Sequence, residues 1–290
     1  MNRNTYIKWG LFILLALTWG SSFILMKQGL KGLNAYQVAS LRILSAGIVL
    51  LPLLRKALKE IPKKMIRPVI ISGFLGTFFP AFLFCIAQTR IDSSLAGVLN
   101  ALTPIFTIAL GVAFFKLKIG WIKWAGMLLG FLGMLLLILG GIQHINLNYL
   151  GYSFLVLLAT ICYGLNVNMV HQYLKEMAPL HVATIAFTAL IPPSVLILAG
   201  TGYFSLINFS DTTWLRSSGA SIGLGIVGTG VASVVFYTLV KKAGPVFASM
   251  VTYGIPFVAI FWGVVAGESV TALQFVGMLI ILAGVRLANK

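Results

Sequence analysis

The stretch Gly73-Phe74-Leu75-Gly76, followed by Phe84, Ala96, Pro104, Gly111 and Val112, recurs 152 positions later. There it reads Gly225-Ile226-Val227-Gly228, followed by Phe236, Ala248, Pro256, Gly263 and Val264. Glycines and prolines at one constant offset mark a duplicated backbone rather than a shared taste for apolar residues. A shift of 144 relates the beginnings of the two copies: Trp19-Gly20 falls on Tyr163-Gly164, Gln28 on Gln172, Leu30 on Leu174, Lys31 on Lys175, Val38 on Val182 and Ala39 on Ala183. Near the ends, Gly126-Met127-Leu128 returns as Gly277-Met278-Leu279. The chain reads as two related halves, residues 1–145 and 146–290.

Each half is too greasy for water. Hydrophobic residues make up 59% of the chain and charged residues 9%, with a mean hydropathy of +1.01. Soluble domains carry about a quarter charged residues, so lipid is the solvent expected here. Windows of membrane-spanning length give ten candidate helices: 8–27, 35–55, 67–89, 93–115, 121–141, 149–173, 179–204, 214–240, 244–266 and 271–288. Turn and charge signals separate them, among them Lys31-Gly32, the Arg55 to Arg67 stretch, Asp92, Ile119-Gly120 and Ala178-Pro179. The N-terminus (Arg3, Lys8, then Leu11 to Leu17) opens like a signal peptide. Its apolar run continues through Met26 with no small-residue cleavage site, so it reads as a retained first span.

The net charge of +16 is distributed as in a membrane protein, not as in a nucleic-acid binder. Lys and Arg sit in short connections instead of forming one basic face. With the N-terminus inside, 16 of the 21 basic residues fall in cytoplasmic segments and 4 in external ones, while Arg42 lies within a span. That imbalance places both termini in the cytoplasm. Five spans per half is an odd number, so the second half must enter the bilayer from the opposite side. Charges agree: Lys116 and Glu268 each follow the aligned prolines by twelve residues, and the sign changes with the side expected. The expected fold is therefore an all-α integral membrane protein of ten transmembrane helices in two inverted-topology five-helix repeats. Cys85 and Cys162 lie inside apolar runs and read as small buried hydrophobes, and no spacing suggests a metal or a cofactor.

With these residues in place, the chain resembles the drug/metabolite transporter superfamily, in its EamA-type ten-helix form. The resemblance rests on Trp19-Gly20-Ser21-Ser22-Phe23 with Lys27, on Arg42, and on Ser93-Ser94-Leu95-Ala96-Gly97 leading to Pro104. It continues in Gly244-Pro245-Val246-Phe247-Ala248 leading to Pro256, and in Gly267-Glu268 with Gln274, Gly277 and the run to Gly284-Val285. Departures are Lys116 where the family usually has Glu, Tyr163 opposite Trp19, and Ala186 opposite Arg42. The resemblance implies a multi-pass transporter of the bacterial cytoplasmic (inner) membrane, an exporter of small organic metabolites. Its partners are a small-molecule substrate and the lipid bilayer; no nucleic acid is expected, and a homodimer is compatible with it.

Inverted repeats place substrate near the midplane, where the halves meet. Polar residues within spans are expensive and so become candidates. Arg42 lies roughly 10 Å inside the outer surface at 1.5 Å per residue; it reads either as a pathway cation for an anionic substrate or as a clamp to helix carbonyls or Asp92. Trp19 and Ser22 read as packing residues or as a cavity wall. Tyr163, Asn166 and Val170 share one face of the sixth span while Asn168 points away, as packing glue or as lining. Asn100 and Thr103 precede Pro104, and Thr252 and Tyr253 precede Pro256, where proline frees backbone carbonyls. The substrate-binding candidates are Trp19, Ser22, Arg42, Asn100, Thr103, Tyr163, Asn166 and Tyr253, with Gln88 and Tyr237 weaker. His171 is the lone candidate for a proton relay, so facilitated diffusion is as plausible as proton exchange. The chain is not expected to be an enzyme: the sequence holds five acidic residues and no nucleophile or metal cluster. A nucleotide-sugar or sugar-phosphate exchanger is the rival reading, though Lys241 and Lys242 at an inner helix end are poorly placed for it. A channel is a more distant one.

Overall fold

The computed structural model describes residues 3–91, 96, 99–139, 150–258, 261 and 271–288. Among the described residues regular structure is helical throughout. We label the helices α1 (Arg3–Gly29), α2 (Ala35–Glu60), α3 (Lys63–Ala87), α4 (Thr103–Phe115), α5 (Trp121–Leu139), α6 (Gly151–Leu174), α7 (Pro179–Gly200), α8 (212–243), α9 (245–258) and α10 (Ala272–Ala288). Six helical stretches are long and apolar enough to cross a membrane: α1, α2, α3, α6, α7 and the run Thr212–Val258 that holds α8 and α9. Parts of α4, α5 and α10 form shorter apolar helices. The expected spans 93–115 and 244–266 fall partly outside the described residues, as do Asp92, Gly263, Val264 and Glu268.

Local chemistry sets most boundaries. Asn34 closes a capping box at the start of α2: Gln37 N–H donates to Asn34 Oδ1 at 2.9 Å, and Asn34 N–H donates to Gln37 Oε1 at 3.1 Å. The Gln37 amide also donates to Thr201 O at 3.1 Å, tying the start of α2 to the end of α7. Asp211 caps α8 through the N–H groups of Thr213 and Trp214. The basic stretch Arg55 to Arg67, expected as a connection, is largely helical: α2 runs to Glu60 and α3 resumes at Lys63. Lys, Arg and Glu are good helix formers, so only extended Ile61 and Pro62 break the chain. Gly244, at φ 81° and ψ 171°, makes the break between α8 and α9. Such a backbone suits glycine alone, and Pro245 then restarts the helix.

Two broader π-helical turns interrupt equivalent helices, at Phe74–Phe78 in α3 and Leu224–Val231 in α8. In α3 the Phe79 N–H donates to Phe74 O, five residues back, and Pro80 next to it has no N–H to offer Gly76 O. In α8 the Thr229 hydroxyl donates to Leu224 O at 3.2 Å, five residues back, and so satisfies a carbonyl of the wide turn.

Helix packing crosses between the halves. α1 lies against α8, α3 and α4 against α6, α2 against α7 and α8, and α5 against α10. The last pair approaches through small residues, where a β-carbon on Gly284 would strike the backbone of Gly126 and Gly130, and one on Gly133 would come within 2.8 Å of Gly277 O. Lipid gives helices no hydrophobic reason to associate, so close backbone contact takes its place. Large apolar side chains such as Leu14, Ile48, Leu196 and Phe209 are exposed around the outside, as expected for a surface facing acyl chains. The protein is a multi-pass membrane protein.

Candidate functional site

A cavity of about 110 Å³, open to solvent at its mouth, lies between the halves. Its wall takes Trp19, Ser22, Phe23 and Met26 from α1, Arg42 from α2, and Gly76, Thr77 and Phe84 from α3. Asn100 and Thr103 come from the chain entering α4, and Tyr163, Asn166 and Val167 from α6. The rest comes from α8 (Gly228, Thr229, Ser233, Phe236, Tyr237) and α9 (Ala248, Ser249, Thr252, Ile255).

The lining is built from related pairs. The shift of 144 matches Trp19 with Tyr163, Ser22 with Asn166 and Phe23 with Val167; the shift of 152 matches Gly76 with Gly228, Thr77 with Thr229, Phe84 with Phe236, Asn100 with Thr252 and Thr103 with Ile255. Their contacts are reciprocal as well. Trp19 packs on Phe236 of the other half, with ring centroids 5.2 Å apart, and Tyr163 stacks on Phe84 at 6.1 Å. A β-carbon on Gly228 would meet Ser22 Oγ at 2.8 Å, and one on Gly76 would overlap the Asn166 amide. A larger residue at either glycine would push the Ser22 or Asn166 side chain out of place. Likewise Gly20 lies against Val258 and Ile255, and Gly164 against Phe106 and Thr107.

Polar groups of the wall are mostly held by the protein. The Trp19 indole N–H donates to Gly228 O at 3.0 Å. Ser72 Oγ donates to Asn166 Oδ1 at 2.6 Å and lies 3.3 Å from the Tyr237 hydroxyl, which forms a buried network joining α3, α6 and α8. Thr103 donates to Asn100 O at 2.7 Å. Arg42 Nε donates to Thr229 Oγ1 at 2.7 Å. Arg42 is the one charged side chain among the described residues of the wall.

The structure brings seven of the eight expected residues to one cavity: Trp19, Ser22, Arg42, Asn100, Thr103, Tyr163 and Asn166. Tyr253 is not among its lining residues. Its ring packs where a β-carbon on Gly130 would lie, and its hydroxyl donates to Met127 O at 3.0 Å, so it ties α9 to α5. Asn168 points away as expected, donating to Thr107 O and Gly164 O. Tyr237 and Thr252 join the wall, whereas His171 and Gln88 do not. Thr77, Thr229, Ser233 and Ser249 were not singled out in the sequence, because a lone hydroxyl in a span usually bonds its own helix. The signal for Thr77 and Thr229 is their offset of 152, beside the matched Gly76 and Gly228.

Comparison with known proteins agrees with the duplication. A profile described as the EamA-like transporter family matches residues 7–139 and again residues 150–290. The chain is 24% identical to the inner membrane transporter YedA of Escherichia coli, over 97% of this chain and 90% of that protein. It is 26% identical to a Salmonella typhimurium protein named "Probable amino-acid metabolite efflux pump" (94% and 92% covered), and 26% identical to an S-adenosylmethionine/S-adenosylhomocysteine transporter of Chlamydia muridarum (89% and 84%). A solved crystal structure superposes with a TM-score of 0.71 at 17% identity, covering 99% of this chain and 97% of its own, and shares the fold.

Proposed function

The chain belongs to the EamA-like transporter family, and from that premise we propose a secondary transporter that exports small organic metabolites such as amino acids. It works by alternating access around the cavity between its halves. Family and relatives' names indicate a small-molecule transporter embedded in a membrane rather than an enzyme. The observation that carries the finer reading is the composition of the wall: repeat-related residues from both halves face one space. A cavity made between two similar bodies can open to either side when one rocks against the other.

On this reading the units are residues 1–145 and 146–290, five spans each and oppositely inserted, with both termini in the cytoplasm of a bacterial inner membrane. Reciprocal contacts and the bias of Lys and Arg support it. Among the described wall residues there is no Asp, Glu or His. Buried acids and histidines are the usual proton relays, which favours facilitated diffusion. A sugar phosphate, a dianion, calls for more than one wall cation, and the described wall holds Arg42 alone.

The test is uptake by purified protein in proteoliposomes across amino acids, nucleosides and sugar phosphates. Saturable amino-acid flux with no response to a pH gradient is expected. Flux limited to sugar phosphates would favour the exchanger, and no flux of any metabolite would overturn the transport reading.

A further inference from the structure

The Arg42–Thr229 pair reaches beyond packing, and this inference rests on the transport reading. We propose that Arg42, positioned by Thr229, is the carboxylate receptor of the cavity. The cargo is then an amphipathic metabolite with one ionised carboxylate and a net charge of zero or minus one.

Thr229 has both of its roles assigned. Its hydroxyl proton goes to Leu224 O at 3.2 Å within the π-helical turn, and its oxygen accepts from Arg42 Nε at 2.7 Å. The bond reaches Arg42 at the inner nitrogen of its guanidinium. The two outer nitrogens carry four more N–H donors, and no described residue is shown accepting from them. Arg42 sits in the wall of the cavity, and no described wall residue carries a compensating negative charge. Arg42 is partly exposed there rather than sealed from water. A carboxylate arriving in the cavity supplies it with a counter-charge, and its two oxygens match the fork of a guanidinium.

The remainder of the wall describes the rest of the cargo. Trp19, Phe23, Phe84, Tyr163 and Phe236 offer aromatic surface to an apolar body. One guanidinium balances one negative charge, and an amine that lacks a carboxylate would meet uncompensated repulsion from Arg42. The receptor belongs to one half only. Thr77, the counterpart of Thr229, faces a half where Ala186 replaces Arg42.

A probe series separates the contributions: phenylalanine, 3-phenylpropionate, phenylalanine methyl ester and phenethylamine, competed against uptake in proteoliposomes. The two carboxylates should compete, while the ester and the amine should be at least about tenfold weaker, as expected for one charge-assisted contact. Arg42→Ala should raise KM for carboxylates about 10- to 100-fold, with Arg42→Lys between it and the native protein. Thr229→Val keeps the shape and removes the acceptor. It should raise KM for carboxylates by roughly threefold or more with kcat little changed, and Thr229→Ser should restore it. If Arg42→Ala does not fold, the Thr229 pair and the probe series in the native protein still decide. Equal competition by phenethylamine and phenylpropionate would overturn the proposal, as would unchanged carboxylate preference in folded Thr229→Val. The preference is read on whichever probes and metabolites move: flux without it overturns the receptor, whereas no flux of any compound overturns the transport reading instead.

Discussion

Arg42 and Ala186 occupy matching positions in the two halves, and their surroundings divide into what is alike and what is not. The frame is alike. Gly225 of α8 lies against the backbone of Arg42, and its counterpart Gly73 of α3 lies against the backbone of Ala186. The chemistry differs. Around Arg42 a cation is held by Thr229. On the other side Asn166, Ser72 and Tyr237 form an uncharged network, at positions whose counterparts are Ser22, Leu224 and Cys85. Backbone packing tolerates little change once two helices touch, because each glycine contact is shared by both partners. Side chains that face a cavity are released from that constraint, so duplication can keep one surface while the other diverges.

The largest expected break in this comparison comes from the shared frame. At Gly225 a β-carbon would overlap Ser45 Oγ and Arg42 O, whereas at Gly73 the nearest atom, Ala186 O, is 3.1 Å away. Gly225→Ala should therefore destabilise by about 1–3 kcal/mol, and Gly73→Ala by clearly less. Thermal melting in detergent ranks the two, and an equal drop would contradict the tighter fit at Arg42.

A second break tests the divergent polar groups. Asn166→Ala removes the acceptor of the Ser72 hydroxyl and leaves Ser72 and Tyr237 only each other, at about 1–3 kcal/mol, and should cut transport at least about tenfold. Its counterpart Ser22 donates only to Thr18 O of its own helix, so Ser22→Ala should leave transport within roughly threefold. Parallel uptake rates for the two variants decide this, and similar losses would mean that the halves still work as equals.

Smaller effects sharpen the boundary of the site. Trp19→Phe keeps an aromatic surface but removes the bond to Gly228 O and part of the ring, so stability should fall by about 1–2 kcal/mol. Tyr253→Phe loses the bond to Met127 O, with a similar drop in melting stability. Because Tyr253 is not part of the wall, its KM for cargo should stay unchanged. A shifted KM would place Tyr253 in the pathway after all.

Most of the candidate site was legible in the sequence because a polar group inside an apolar span is rare and costly wherever it occurs. Arg42, Asn100 and Asn166 stand out on that ground, and Trp19 and Tyr163 through their matched positions. Tyr253 shows where this reasoning stops. It follows the same rule, beside Pro256, yet its hydroxyl is satisfied by a carbonyl of α5 that is 126 positions away. Thr229 shows the converse, since the repeat marks its position beside Gly228 but its task is set only when α2 brings Arg42 to within 2.7 Å.

The amino-acid order alone determined that the chain lives in lipid, that it is a duplicated helical protein, and which polar residues need explaining. Composition and periodicity are local properties, and the solvent acts on every span separately. Only the tertiary structure decided which helices of one half meet which of the other. That pairing turns matched residues into opposite walls of a single cavity. It also assigned Thr229 to Arg42 and withdrew Tyr253 from the wall. Such assignments depend on distances between side chains far apart in sequence, which no local pattern encodes.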